Sequence, residues 1–506
     1  MSCVVTFDIG TTAVKAVLVG EDGQAEARLS RDIPTLYGEE FREQDPAVWW
    51  EAFRDLSAEL LRNRREEILG IVMSGQMQDV IPVDRDLKPL CPAILYSDGR
   101  AAEEAEELKA AAGADRILRV TGNHCDGTLS LPKIMWLKRR RPEIYGRTRC
   151  FLISSKDYIA ARLTGETTGD YTACSTAGGM DLEKKIWSPE ILAAAGIAAE
   201  KMPRLLPSHG LAGRVTEAAA AETGYRAGTP VYAGAGDAGA TTLASGIAGK
   251  GQYNINLGTS GWVATVSDGP MFNEGGIFNL AAMPEGRVIN VVPFLNAGNV
   301  HQWVSRLFSA DGEPDYARTQ ALLDRSVPGA HGVSALPYLV GERFPVADPY
   351  VRGAFTGISP ETGPEDLVRA MLEGTAFSIR QGMEMIGGKP SSVSVIGGGG
   401  RVKTWCRILA DTLNQRVTVF AESDTLPARA IAAAALIGEG RLAGYESFTE
   451  RLATEREATV YDPDPETAGI YERLYRVHTG LYPALKPWYA RSERQEQERE
   501  TDGNHG

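Results

Sequence analysis

The chain has 506 residues, more than one ordinary core accommodates, so two or three domains are expected. Hydrophobic residues at 43% and charged residues at 24% mark a globular protein, and a formal net charge of −13 disfavours nucleic acid or an anionic membrane as main partner. No apolar run reaches the length of a membrane span, Asp8 interrupts the first one, and the six cysteines form no C-x-x-C pair, so a reduced, cytoplasmic chain without a zinc cluster is expected.

The first stretch, VVTFDIGTTAVKAVLV (Val4 to Val19), reads as strand, turn and strand. Its turn carries Asp8, able to hold a hydrated divalent cation, a glycine that lets a ligand approach the backbone, and the hydroxyls of Thr11 and Thr12. These are the parts a phosphate–magnesium site needs. Asp45 and Pro46 then cap a helix with Trp49, Phe53, Leu56 and Leu60 on one face. A strand from Ile68 to Met73 runs into SGQMQD (Ser74 to Asp79), and Ile94 to Tyr96 runs into SDGR (Ser97 to Arg100). Gln76, Gln78, Asp98 and Arg100 therefore sit at strand ends, where several polar groups together bind several hydroxyls. The first third reads as a mixed sheet with helices outside.

Leu131 to Ala195 carries helical segments, among them one that starts at SSKDY and stops at Gly165. A buried strand at Val231 leads into GAGDAG (Gly234 to Gly239). This formally satisfies G-x-G-x-x-G, yet Asp237 would repel a pyrophosphate, and the following strand, QYNINLGTS, lacks the ribose-binding acid of a dinucleotide fold. A carboxylate at a glycine-rich helix start stays ionised cheaply, which suits a base or a metal partner. QYNINLGTS (Gln252 to Ser260) repeats the opening device of strand, glycine and hydroxyls. Two copies in separate halves suggest a duplicated fold with a ligand between the lobes.

In the second half, a proline-rich connector spans Pro337 to Pro349, and a long helix runs from Pro364 to about Met385. A strand from Ser391 to Ile396 enters Gly397 to Gly400; GGGRVKT lacks the G-K-[ST] of a Walker loop, but such a glycine cluster lets a flat ligand such as adenine come close. An Ala-rich helix covers Ala428 to Leu436, and residues from Arg491 onward read as a disordered tail.

Taken together, DIGTTAVK, SGQMQ, SDGR, AGAGDAGA, NLGTSG, NAGNVHQW (Asn296 to Trp303) and GGGGRVKTWCRILAD, in that order, resemble the FGGY family of carbohydrate kinases, and within it the xylulokinase branch, over roughly Val4 to Gly440. The resemblance implies two actin-like, ribonuclease-H-like α/β domains with ATP and sugar in the cleft between them. It implies an N-terminal domain over 1–248 with the sugar site and base, a nucleotide-binding domain over 249–445, a helical extension over 446–490 and a tail over 491–506. Asp8 would organise Mg²⁺ and Asp237 would be the base. Thr11, Thr12, Lys15, Gly258, Thr259, Gly298, Gln302, Gly399 and Gly400 would contact ATP. Gln76, Met77, Gln78, Asp98 and Arg100 would contact the sugar or polyol. A homodimer is the assembly considered.

Two positions depart from the branch's pattern: Gln78 stands where a histidine is usual, and Ala238 where an amide is usual. Another pentulose, a tetritol or a deoxy sugar is thereby admitted as acceptor. A nucleotide switch or sugar sensor on the same fold is the alternative of a different class.

Overall fold

The computed structural model describes residues 2–34, 36–37, 41–62, 67–272, 276–421, 425–455 and 457–491. Strands β1 (Ser2–Ile9), β2 (Ala13–Gly20) and β3 (Ala25–Asp32) form an antiparallel meander: β1 and β2 are runs of β-formers buried on both faces, and the Glu21–Gly23 turn joins β2 to the more exposed β3. Helix α1 (Pro46–Leu61) starts where Asp45 accepts a hydrogen bond from the Ala47 N–H, and it lays Trp49, Phe53, Leu56 and Leu60 onto the sheet. The crossover delivers β4 (Glu67–Gly75) parallel to β1, so that Asp8 stands opposite Ser74 in the register. After the helix α2 (Ser155–Thr164), stopped by Gly165 in the left-handed region, come β5 (Leu211–Arg214) and β6 (Pro230–Tyr232), the latter parallel to β4. The sheet order is β5-β6-β4-β1-β2-β3. Helix α3 (Asp237–Ala244) then ends the first half.

The second half repeats the plan. Strands β7 (Gln252–Leu257), β8 (Gly261–Ser267), β9 (Phe278–Ala281) and β10 (Val288–Phe294) are antiparallel neighbours, followed by helices α4 (Gly298–Leu307) and α5 (Pro364–Ile386). Strand β11 (Ser392–Ile396) returns parallel to β7; α6 (Lys403–Leu413) and β12 (Val417–Phe420), parallel to β11, follow. Five strands in each half, β3-β2-β1-β4-β6 and β10-β8-β7-β11-β12, share one order and one set of directions. The fold is one α/β plan used twice, as the paired strand–glycine–hydroxyl devices suggest.

The halves interlock. Helix α7 (Leu426–Gly438), from the second half, buries Ala430 to Ala435 in one core with Val4, Val17, Val72 and Ala240 of the first. A run of alanines allows this close approach to β1, β4 and α3. One expectation changes: the stretch over 446–490 is not helical throughout, because β13 (Ala458–Tyr461) pairs antiparallel with β12 and closes the second sheet's edge. Its β-branched ATVY suits a strand, but only the exposed edge of β12 gives it a partner. Arg491 still continues the helical run 481–491, and the rest of the expected tail lies outside the described residues. No helix among the described residues is long and apolar enough to cross a membrane.

Candidate active site

Asp8, half-buried, is the penultimate residue of β1. The Ser74 hydroxyl donates to its Oδ1 at 3.0 Å, and burial raises its pKa, opposed by the positive charge of Lys15 and by the Ser74 hydrogen bond. Thr11 follows at the turn. Its hydroxyl donates to Gln76 Oε1 at 2.6 Å, Gln76 Nε2 donates to Gln44 Oε1 at 3.1 Å, and Gln44 Nε2 returns to the Thr11 carbonyl at 2.6 Å. Gln76 thus closes a ring of hydrogen bonds that fixes the turn. Its amide, 2% exposed, is committed to protein partners.

Asp237 is the first residue of α3. The turn before it is forced close to β4: a Cβ at Gly234, where φ is +69°, would lie 1.9 Å from the Met73 carbonyl oxygen, so only glycine fits. The next anchor is Asp170, whose Oδ2 accepts from the Gly236 N–H at 3.3 Å and the Ala173 N–H at 3.1 Å. Asp170 is fully buried and is neutralised by Lys156, which sits 2.7 Å from it and 2.6 Å from Asp157. The Asp237 side chain has accessible area, being open to the cleft, yet it lies deep within the molecule; depth governs its titration, because water reaches it from one side only. Burial first, then the charge of Asp8, raises its pKa to about 7.

Asp237 lines a cavity of about 270 Å³ shared by both halves. Thr11, Gln76, Met77, Gln78 and Tyr96 come from the first half; Trp262, Phe278, Leu280, Val291, Pro293 and Arg343 come from the second. Gln78 is held at φ +61°, with its carbonyl accepting from the buried Lys133 Nζ at 3.1 Å; the same ammonium reaches the Leu95 carbonyl at 2.7 Å and so ties the Gln78 and Tyr96 loops together. Ala238 packs with Met77, Trp262, Phe278 and Val291, giving the cavity one apolar wall.

A second cavity, of about 710 Å³, lies in the other half, lined by Gly258, Thr259, Gly298, Gln302 and Gly399 among others. Gly298 donates its N–H to the Gly258 carbonyl at 2.7 Å, and Asn299 donates to the Thr259 carbonyl at 3.0 Å, which pins the hydroxyl-bearing turn to the start of α4. His301 stacks on Tyr316 with ring centroids 5.3 Å apart, and burial lowers its pKa to about 4, so it is neutral near pH 7. The cavity suits a flat base with a phosphate chain.

Other expected contacts are placed elsewhere. Asp98 and Arg100 face each other rather than the cavity: Arg100 donates to both Asp98 oxygens, at 2.8 and 2.6 Å, and reaches Glu43 at 2.9 Å. Burial would raise the Asp98 pKa, but the hydrogen bonds from Arg100 and the Arg42 N–H outweigh it and hold the carboxyl below its usual range. Gly400 lines a different cavity, with Val419 and Phe420, while Asp8, Thr12 and Lys15 line neither of the two described. The residues that sequence reasoning missed are Tyr96, Trp262, Phe278, Arg343, Tyr316 and Gln320. Trp262, directly after NLGTSG, and Tyr96, directly before SDGR, lay beside motifs.

Comparison with known proteins gives a consistent picture. The model of the FGGY family of carbohydrate kinases, N-terminal domain, matches residues 3–244, and that of the C-terminal domain matches residues 253–437. The xylulose kinase of Bacillus subtilis (strain 168) is 31% identical over 498 residues, covering 96% of this chain and 98% of the relative. Among solved structures, the xylulose kinase from Rhodospirillum rubrum superposes with a TM-score of 0.88 at 30% identity, covering 96% of this chain and 100% of the other. The gluconate kinase from Lactobacillus acidophilus gives 0.88 at 25% identity, covering 97% and 99%.

Proposed function

This chain belongs to the FGGY family of carbohydrate kinases, phosphotransferases that use ATP as donor, and we propose that its acceptor is the primary hydroxyl of a small ketose or polyol related to xylulose. The observation that carries this reading is Asp237: an accessible carboxylate, poised near neutrality, in a cavity of sugar size beside a larger cavity of nucleotide shape. Asp237 takes the acceptor proton as that oxygen attacks the γ-phosphorus in line. Thr12 and Thr259 present hydroxyls, and the turns of Thr11 and Gly258 present backbone N–H groups, to the phosphates from opposite lobes, and Lys15 adds positive charge on the Asp8 side; the Thr11 hydroxyl stays with Gln76. Gly298, Gln302 and Gly399 face the nucleoside, with Gly400 supporting the same glycine turn from behind. Met77 and Gln78 face the sugar, Gln76 fixes the Thr11 turn, and the Asp98–Arg100 pair holds the loop next to Tyr96.

Asp8 fits a magnesium ion. Only one of its oxygens receives a side-chain hydrogen bond from a described residue, and its charge raises the pKa of Asp237, which a cation between the two would offset. No group of three or more candidate ligand residues surrounds it among the described residues, as suits an ion that keeps waters and phosphate oxygens. Magnesium bound there would neutralise phosphate charge. We set the domain limits at 1–248 and 249–445, with 446–490 as an extension that touches both halves: Phe448 and Leu452 enter the core with Val4 and Val17, and Tyr471 and Tyr475 pack into the second half. Six free thiols suit a cytoplasmic enzyme.

Replacing the base tests the assignment. Asp237→Asn lowers kcat by ~10²–10⁴ while nucleotide affinity survives; turnover at the parental rate would remove Asp237 from the role.

A further inference from the structure

The cavity that holds Asp237 is lined by one cationic side chain, Arg343, and it comes from the opposite lobe. It lies in the proline-rich connector, exposed, and its guanidinium has no hydrogen-bond or ion-pair partner among the described residues. A solvated surface arginine would show the same lack of partners. What separates Arg343 from that case is how firmly its backbone is held. Its N–H donates at 2.8 Å to the carboxylate of Glu342, which is only 3% exposed. The same carboxylate accepts from the Leu295 N–H at 2.7 Å, the Asn296 N–H at 3.2 Å and Asn296 Nδ2 at 2.8 Å. Asn296 in turn donates to the Gly341 carbonyl at 2.7 Å and accepts from the Leu339 N–H at 2.8 Å. The loop of Arg343 is thus bolted to the residues that lead directly into Gly298, where the nucleotide cavity begins. The anchor belongs to the nucleotide side; the free end lies on the acceptor side.

On the kinase reading, a group anchored beside one cavity and lining the other stands between the donor and acceptor sides. The cavity's carboxylate is Asp237, which feels the negative charge of Asp8, and an incoming polyphosphate adds more negative charge. We propose that Arg343 is a catalytic residue that contacts the equatorial oxygens of the phosphoryl group in transit. This rests on the kinase reading with Asp237 as base. In the step, the acceptor oxygen forms a bond to the γ-phosphorus as the bond from that phosphorus to the β–γ bridging oxygen breaks. The bond pair leaves on ADP, the hydroxyl proton goes to Asp237, and the guanidinium holds the charge spread over the three oxygens. A planar fork of donors matches that group in shape as well as charge.

The test uses the full-length enzyme with D-xylulose first and the best responder of a ketose and polyol panel second. Arg343→Ala lowers kcat by ~10²–10³, with the KM values for sugar and ATP within about threefold of the parent. Arg343→Lys recovers about tenfold or less, and added guanidine partly restores the alanine variant. Affinity for ADP with aluminium fluoride, a mimic of the phosphoryl group in transit, falls by about two orders of magnitude while affinity for ADP alone is kept. That titration needs no turnover, so it reads Arg343 whatever the acceptor is, and ADP affinity reports that the variant is folded. Parental kcat in Arg343→Ala, or undiminished affinity for the fluoride complex, overturns the proposal. So does a raised sugar KM at full kcat, which would make Arg343 a ligand for a carboxylate on the sugar. Failure of the base assignment is separate: it shows as full turnover in Asp237→Asn.

Discussion

Gly298→Ala isolates the nucleotide side of the cleft with a single methyl group. A Cβ at this position would lie 2.4 Å from the Gly258 carbonyl oxygen and 3.0 Å from its carbonyl carbon. Ordinary contact distance demands that the carbonyl retreat by about 1 Å. The same carbonyl accepts the Gly298 N–H at 2.7 Å, and the neighbouring Thr259 carbonyl accepts from Asn299 at 3.0 Å, so the turn cannot retreat without stretching both bonds. Overpacking of this kind costs about 1–3 kcal/mol. If the strain falls on the geometry that grips the phosphates, ATP affinity drops by about 5- to 150-fold. The strain is confined to the turn at the start of α4, so the cost to global stability stays within the same range of about 1–3 kcal/mol. The assay is calorimetric titration with ATP and, separately, with the acceptor sugar, alongside thermal unfolding. Loss of ATP affinity with sugar affinity within about twofold is the expected result. Unchanged ATP affinity would refute the placement of the phosphates at the Gly258–Thr259 turn, and equal losses for both ligands would show a general collapse of the cleft.

Three further outcomes follow from the same geometry. Because a base must be unprotonated, kcat/KM rises with pH through the pKa of Asp237 and levels off above it, the midpoint lying at or below about 7 because magnesium at Asp8 would offset part of the raise; activity that falls as pH rises from about 5 to about 7 would contradict a base at Asp237. Asp8→Ala weakens Mg-ATP far more than sugar in parallel titrations, and equal losses would deny Asp8 the metal. The double substitution Gln78→His with Ala238→Asn shifts relative kcat/KM toward D-xylulose by about 5- to 150-fold, the worth of one hydrogen bond to a group otherwise unpaired. An unaltered ranking across the sugar panel would show that the wall of Ala238, Trp262 and Phe278 does not select the acceptor.

Local chemistry made much of this legible in sequence. Asp8, Gly10 and Thr11 declare a turn with a carboxylate because apolar runs of β-formers flank them, and Gln252 to Ser260 repeats the pattern; the structure shows the two halves as one strand plan used twice. Asp237 was readable because glycines precede it and small helix formers follow. What stayed hidden depends on partners far away in the chain. The pairing of Asp98 with Arg100 is local, but Glu43, which helps turn that arginine away from the cavity, lies more than fifty positions earlier. Gln76 looked free to bind a hydroxyl until Gln44 and Thr11 claimed both ends of its amide. Trp262, Phe278 and Arg343 come from the second half and share a cavity with Asp237 only because the two halves meet there. The edge strand Ala458–Tyr461 needed its neighbour β12 to declare itself.

The central claim, a small ketose or polyol as the acceptor of this kinase, is tested most directly by ADP formation from Mg-ATP by the full-length protein. The panel consists of ketoses and sugar alcohols and includes D-xylulose, tetritols and deoxy sugars. The account expects ADP release that depends on one of these acceptors and disappears in Asp237→Asn. ATP binding with no acceptor-dependent ADP from any member of the panel would contradict it.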